Sequence, residues 1–332
     1  MVDILKNIEL KPYTTYKIGG PADFFATAYT EDNLKYLVRY AYSNDISFDI
    51  IGGGSNVLIS DKGIRALVVK NNTKEIIIHK DINVNNFDVK NLKSFYKEGS
   101  YMQFEDLEDN ESEYNKVLVE VSSGLSLAYL INDTISKGLT GLQYFAGIPG
   151  TLGGAIFNNI HGGTRLIGNL LHSAKIIDME GNLSEINYDF FNFGYDTSVL
   201  HQKKYILLSL KLILFEGNTE KAKTIQKEWI KRKHKIQPTL PSCGSVFKNI
   251  SDTEKQEIGA PVNSAGWVIE QLGFKGFRIG GAEVYRNHAN FIVNLGFAKA
   301  SDVKTIIEKI QEEAIRKFNL ELTPEIILKG DF

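Results

Sequence analysis

Two glycine-rich runs constrain this chain more than any other feature: Gly52-Gly53-Gly54-Ser55-Asn56 and Ala146-Gly147-Ile148-Pro149-Gly150-Thr151-Leu152-Gly153-Gly154. Glycine loses more backbone freedom on folding than any other residue, so such runs mark places where backbone comes close to something. In the first run, consecutive N–H groups can converge into a concave nest for phosphate oxygens, and Ser55 and Asn56 add side-chain donors. In the second, Pro149 fixes one φ and Thr151 can open a short helix whose N–H groups face an anion. Neither run fits a common nucleotide motif. A dinucleotide fingerprint needs a third glycine where Val57 stands, followed by a helix, and the residues after Val57 read as a strand. A Walker loop needs Gly-Lys-Ser/Thr at its end. Each run taken alone can equally be a packed turn; the two together favour a dinucleotide lying between two lobes.

A length of 332 residues predicts two or three domains at roughly 150 residues each. With 43% hydrophobic and 23% charged residues the chain can bury a core. A net charge of −2 excludes a global field that recruits nucleic acid or an anionic membrane. The single cysteine, Cys243, excludes a disulfide framework and a cysteine-based zinc site. No second ligand stands at metal spacing from His288, so no metal site is expected. Charges at Asp3, Lys6, Glu9 and Lys11 break every apolar run near the start, against a signal peptide. The most apolar stretch, 205–215, is about half a membrane span and contains Lys211. The expectation is a soluble, cytoplasmic monomer with neither nucleic-acid partner nor membrane insertion.

Local patterns predict the elements. Thr30 can cap a helix with Leu34, Leu37, Val38 and Ala41 at helical spacing. β-rich runs follow at 48–51, 66–69, 75–79 and 117–122. Between them, 81–115 loses all pattern, and six of the ten residues in 105–114 are acidic. That segment reads as a solvated surface insertion, or as an acidic docking loop. Ser126 opens a helix that Gly138 stops. Strands at 174–179 and 183–188 flank Glu180-Gly181-Asn182 as a hairpin, and 206–215 is a further strand. An amphipathic helix over 219–234 follows, with Ala222, Ile225 and Trp229 on one face. Ser301 caps a last long helix, and a strand over 325–329 closes the chain.

The chemistry concentrates late. In Pro241-Ser242-Cys243-Gly244-Ser245-Val246-Phe247-Lys248-Asn249, Ser245 lacks the elbow and triad of a serine nucleophile. It can instead donate a proton, with Lys235 and Lys248 stabilising the alkoxide, or simply cap a turn. The block 265–294 carries Lys275, Arg278, Arg286 and His288 among glycine turns.

Taken in order, Thr15–Ala22 (TYKIGGPA), Gly52–Arg65 (GGGSNVLISDKGIR), Ala146–Ala155 (AGIPGTLGGA), Gly244–Asn249 (GSVFKN), the 265–294 block and Leu322–Glu325 (LTPE) resemble the UDP-N-acetylenolpyruvoylglucosamine reductases. The resemblance implies an α+β fold: two lobes holding FAD non-covalently in the vanillyl-alcohol-oxidase-like manner, plus a C-terminal α/β substrate-binding domain. The implied parts are 1–72 with 321–332, then 73–216 with its insertion, then 217–320. It implies that NADPH reduces the flavin and that hydride then passes to the vinyl carbon of UDP-N-acetylglucosamine enolpyruvate, giving UDP-N-acetylmuramate for peptidoglycan. It implies Ser245 as proton donor and Glu325 as its acidic partner. FAD would lie along Gly52–Asn56 and Ala146–Gly154 (Ala146, Gly147, Ile148, Pro149, Gly150, Thr151, Gly153 and Gly154). Tyr195, Lys235, Asn249 and His288 would contact substrate. The short connection before Thr219 resembles the branch lacking an extra tyrosine-bearing loop.

One departure has chemical weight. Where the family carries Tyr-Arg before a serine, this chain has Tyr195-Asp196-Thr197-Ser198. An arginine there would pair with the substrate carboxylate, and an aspartate repels it. Either Arg165, Lys235 or another cation takes over, or turnover is slow, or the chain is a flavin oxidase of another substrate, or a degenerate flavin- or nucleotide-sugar-binding protein.

Overall fold

The computed structural model describes residues 2–87, 89, 109–163 and 165–332. Most of the 81–115 expectation therefore lies outside the described residues.

The first sheet runs in the order β1 (Leu5–Glu9), β2 (Pro21–Ala28), β5 (Ile64–Asn71), β3 (Phe48–Ile51), with β1 antiparallel to β2 and the other pairs parallel. Helix α1 (Glu31–Ser43) covers it. Thr30 caps that helix, its side chain accepting from the Asn33 amide, and the buried stripe is Leu34, Leu37, Val38 and Ala41. The same stripe also meets Ile177, Ile206 and Leu208 of the second lobe. One helix thus fills the space between two sheets. The short strand β4 (Val57–Ile59) pairs in parallel with β17 (Ile327–Lys329), so the end of the chain returns to the first lobe.

The second sheet has the order β12 (Leu183–Asn187), β11 (Leu171–Asp178), β13 (Tyr205–Glu216), β7 (Lys116–Ser122), β6 (Ile76–His79), all antiparallel, with β8 (Leu139–Thr140) at the far end of β13. Helix α2 (Leu127–Ser136) is capped by Ser126, as its sequence predicts, and packs Leu127, Leu130 and Ile131 into the core. Helix α3 (Leu152–Phe157) begins at Thr151, and the two-stranded ribbon β9 (His161–Gly162) and β10 (Arg165–Leu166) follows.

Helix α4 (Thr219–Ile236) was grouped by sequence with 217–320. Its Ala222, Ile225 and Trp229 pack instead on the second lobe, beside Tyr144 and Ala146. The reason is the stripe itself: an apolar face must be buried, and the nearest apolar surface is there. The third core starts at Cys243. It gathers α6 (Ala265–Gln271), a sheet of β14 (Arg278–Ile279), β15 (Ala282–Val284) and β16 (Ile292–Asn294), and α7 (Ala300–Phe318), and it absorbs Tyr16, Ile18 and Leu58 of the first lobe, while the short helix α5 (Asp252–Glu257) buries none of its residues. Helix α7 starts one residue before Ser301, with Lys299 as the flanking residue. Its cap is tertiary: Asp61 of the first lobe accepts from the amides of Ala300 (2.7 Å) and Ser301 (3.0 Å) and from the Ser301 hydroxyl (2.9 Å).

The described part of the acidic segment is not uniformly solvated. Glu111 is buried and pairs with the buried guanidinium of Arg165 at 2.9 Å, while Gln143 donates to it at 2.9 Å. Arg165 also lies over the Tyr144 ring. It is committed to that cluster and does not take the place of the missing arginine. No described helix is long and apolar enough to cross a membrane.

Candidate active site

The two glycine runs meet face to face. A Cβ at Gly53 would sit 2.6 Å from the Cα of Gly150, and one at Gly52 would sit 2.4 Å from the Thr151 hydroxyl. Ser55 donates its hydroxyl hydrogen to the Pro149 carbonyl at 3.0 Å. Gly54 adopts φ 66° against the Tyr13 carbonyl, a conformation that favours glycine. The loop is held from below by Thr15, whose amide donates to the Gly54 carbonyl (3.0 Å) and whose hydroxyl donates to Ser242 (2.8 Å). Among the described residues, the backbone N–H groups of Gly53, Gly54, Ser55 and Asn56 have no acceptor. Four consecutive open donors beside close-packed glycines fit the phosphates of a dinucleotide.

The segment Gly244–Asn249 and the segment Thr323–Ile326 form one edge. Glu325 donates its amide to Val246 at 2.8 Å, and Lys248 donates to Thr323 at 2.9 Å. The buried Asn290 side chain imitates a strand, accepting from the Phe247 amide (2.9 Å) and donating to its carbonyl (2.8 Å). Asn56 closes the triangle, its side-chain amide donating to the Glu325 carbonyl at 3.3 Å. Ser245 and Glu325 therefore face the same cavity from adjacent backbones.

That cavity has a volume of about 650 Å³ and is lined by Gly52–Asn56, Gly147–Thr151, Gly153, Gly154, Ser245 and Glu325. Burial pushes the Glu325 carboxyl up to about 8; the nearby Asp196 carboxylate adds to the rise and Lys248 opposes it. Burial likewise raises the Cys243 thiol, so the cysteine beside the site stays a neutral wall. Lys233 lines the cavity and donates to the Ala146 carbonyl at 2.9 Å; burial lowers its ammonium to about 7. Ala146 itself does not line the wall.

Asp196 is buried on the cavity wall in a left-handed turn, φ 48°. Its carboxylate stands 3.6 Å from Nδ1 of His161, whose ring lines the cavity and stacks on Tyr195 at 5.8 Å. Lys248 donates to the carbonyls of Tyr195 (3.4 Å) and Asp196 (3.2 Å).

Four residues predicted to contact substrate lie off the cavity wall. Asn249 reaches the Tyr195 hydroxyl at 3.5 Å, so those two are together just outside. Lys235 is exposed on α4. His288 packs edge-on against Phe291, and burial lowers its imidazole. Lys233 was missed, although its signal was present: it follows Ile225 and Trp229 at the four-residue interval that puts all three on one helix face, whereas Lys235 does not.

The chain is similar over its whole length to known proteins. The crystal structure of UDP-N-acetylenolpyruvylglucosamine reductase from Thermus caldophilus superposes with a TM-score of 0.71 at 27% identity, covering 99% of both chains. The UDP-N-acetylenolpyruvoylglucosamine reductase of Caldanaerobacter subterraneus subsp. tengcongensis is 34% identical over 98% of this chain and 93% of its own. The enzyme of that name from Prochlorococcus marinus subsp. pastoris is 35% identical, covering 98% and 96%.

The chain belongs to the UDP-N-acetylenolpyruvoylglucosamine reductase family.

The family's C-terminal domain model matches residues 237–328, beginning just after α4. As a member of this family the chain is an FAD-dependent oxidoreductase with the α+β fold the resemblance implied. The nest at Gly53–Asn56 and the wall at Gly147–Gly154 are the elements that fit its flavin nucleotide.

Proposed function

We propose that the chain catalyses NADPH-dependent reduction of UDP-N-acetylglucosamine enolpyruvate to UDP-N-acetylmuramate, with Ser245 and Glu325 as its acid groups. The observation that carries this is the convergence of Ser245, Glu325 and both glycine runs on one cavity. Bound along Gly53–Asn56 and Gly147–Gly154, FAD would supply hydride transfer from NADPH to the vinyl carbon.

The protein's own groups handle the proton and the charge. Ser245 donates a proton to the carbon next to the carboxylate. Glu325, held to about 8 by burial, keeps its proton at neutral pH and can hydrogen-bond to a developing enolate oxygen. An ionised carboxylate there would repel the enolate. Lys248, whose ammonium donates to the Tyr195 and Asp196 carbonyls, would stabilise the serine alkoxide. Lys235 and Asn249 are assigned to the UDP part of the substrate, and Tyr195 and His288 to further substrate contacts.

Anaerobic titration tests the reading. NADPH should bleach the bound flavin, and the enolpyruvyl nucleotide sugar should restore its colour within one turnover. A flavin that NADPH reduces but the nucleotide sugar leaves bleached would refute it.

A further inference from the structure

The cavity has to accommodate a substrate carboxylate, yet a carboxylate, Asp196, occupies the wall where the family resemblance puts a guanidinium. His161 meets it: the imidazole lies on the same wall, with Nδ1 3.6 Å from Asp196 and its ring face on Tyr195. We propose that His161, held by Asp196, is the group that receives the carboxylate of the enolpyruvyl substrate in this chain. The inference rests on the proposed function and specifies how that site recognises its substrate.

The construction supports this. Asp196 is buried while the His161 side chain keeps 36% of its surface exposed, so the carboxylate is the anchor and the imidazole the presented group. A carboxylate beside an imidazole nitrogen favours a proton on that nitrogen's side and orients the ring. The tight turn at Asp196 is itself fixed by Lys248 on its carbonyl and by the pairing of Gly194 with Thr197.

The surrounding charges fit the role. Facing the pair are Lys248, Glu325, the Tyr195 ring and His201, which feels the charges of both Asp196 and Lys248, while Lys203 and Lys233 also line the cavity. From the elements packed on β9, Arg165 and Tyr144 point to Glu111 and do not line the cavity. Asp196 is thus a positioning residue acting through His161.

The test uses the flavin-loaded protein and two probes, UDP-N-acetylmuramate, which carries a carboxylate, and UDP-N-acetylglucosamine, which lacks one. Equilibrium binding is measured at one pH by the change in flavin absorbance or by calorimetry. Wild type should bind both probes. His161→Asn should weaken the carboxylate probe about ten- to a hundredfold and leave the other unchanged. His161→Lys should restore the binding. Asp196→Asn should raise KM for the enolpyruvyl substrate but not for NADPH, with Asp196→Glu recovering part of it. If His161→Asn weakens both probes equally, or neither, the inference is overturned. Wild-type protein that binds neither probe overturns the functional reading, and this inference with it.

Discussion

The amide of Glu325 donates to the carbonyl of Val246 over 2.8 Å, and this bond makes neighbours of two motifs that lie far apart in the chain. Ser245 precedes one end of it and the Glu325 carboxyl hangs from the other. For Ser245→Ala, NADPH should still bleach the flavin, because hydride transfer to the ring does not use this hydroxyl. Formation of UDP-N-acetylmuramate should fall by about 10²–10⁴, the usual share of a general acid. Stopped-flow absorbance measures both half-reactions separately, and equal loss in the two would remove Ser245 from the proton step.

Glu325 gives stability a signed pH dependence. Its folded carboxyl holds a proton up to about 8, whereas an unfolded glutamate releases it near ~4.3. Between those values the folded state binds more protons, so stability falls as pH rises, by at most about 1.4 kcal/mol per pH unit. Glu325→Gln should flatten urea midpoints between pH 5 and 8. An unchanged slope would place the proton elsewhere.

Gly53→Ala should separate the two loops. The added methyl would lie 2.6 Å from Gly150 Cα, where only backbone can give way. Overpacking of this kind costs about 1–3 kcal/mol. Thermal melting should drop accordingly, and the protein should retain less flavin through gel filtration. Full flavin retention would show that the loops can part without disturbing the nest.

Asp61 links the first lobe to helix α7 by three hydrogen bonds. Asp61→Ala should cost about 0.5–2 kcal/mol in urea unfolding, the range for losing an N-terminal helix cap. Asp61→Asn should keep part of this, since its one carbonyl oxygen can still accept.

Glu111 and Arg165 are both buried. Glu111→Ala leaves a guanidinium without its counter-charge and should cost about 3–5 kcal/mol. The double variant Glu111→Leu, Arg165→Met should recover most of it, because neither charge is then stranded. A double variant as unstable as the single one would show that the pair contributes more than mutual neutralisation.

Elements whose instructions are local were legible in the sequence. Thr30 and Ser126 cap the helices their hydroxyls announce, because a cap bonds amides only three residues away. The strands at 48–51 and 206–215 follow from short runs of branched and aromatic residues. Ser245, Glu325 and the glycine runs could be named because an ordered set of motifs carries them together. The Ser301 cap was misplaced for the opposite reason: the side chain that caps the start of α7 is Asp61, from another lobe, and no local spacing contains it.

The sequence by itself determined which side chains bring acids, donors and open backbone to this protein, since residue type and neighbouring spacing carry that information. Only the tertiary structure decided that α4 lies on the second lobe, that Arg165 is taken by Glu111, and that Asp196 meets His161 rather than a substrate. Each of these is a choice of partner among charges or apolar faces distant in the chain. Such choices depend on burial and distance, which arise only when the lobes pack.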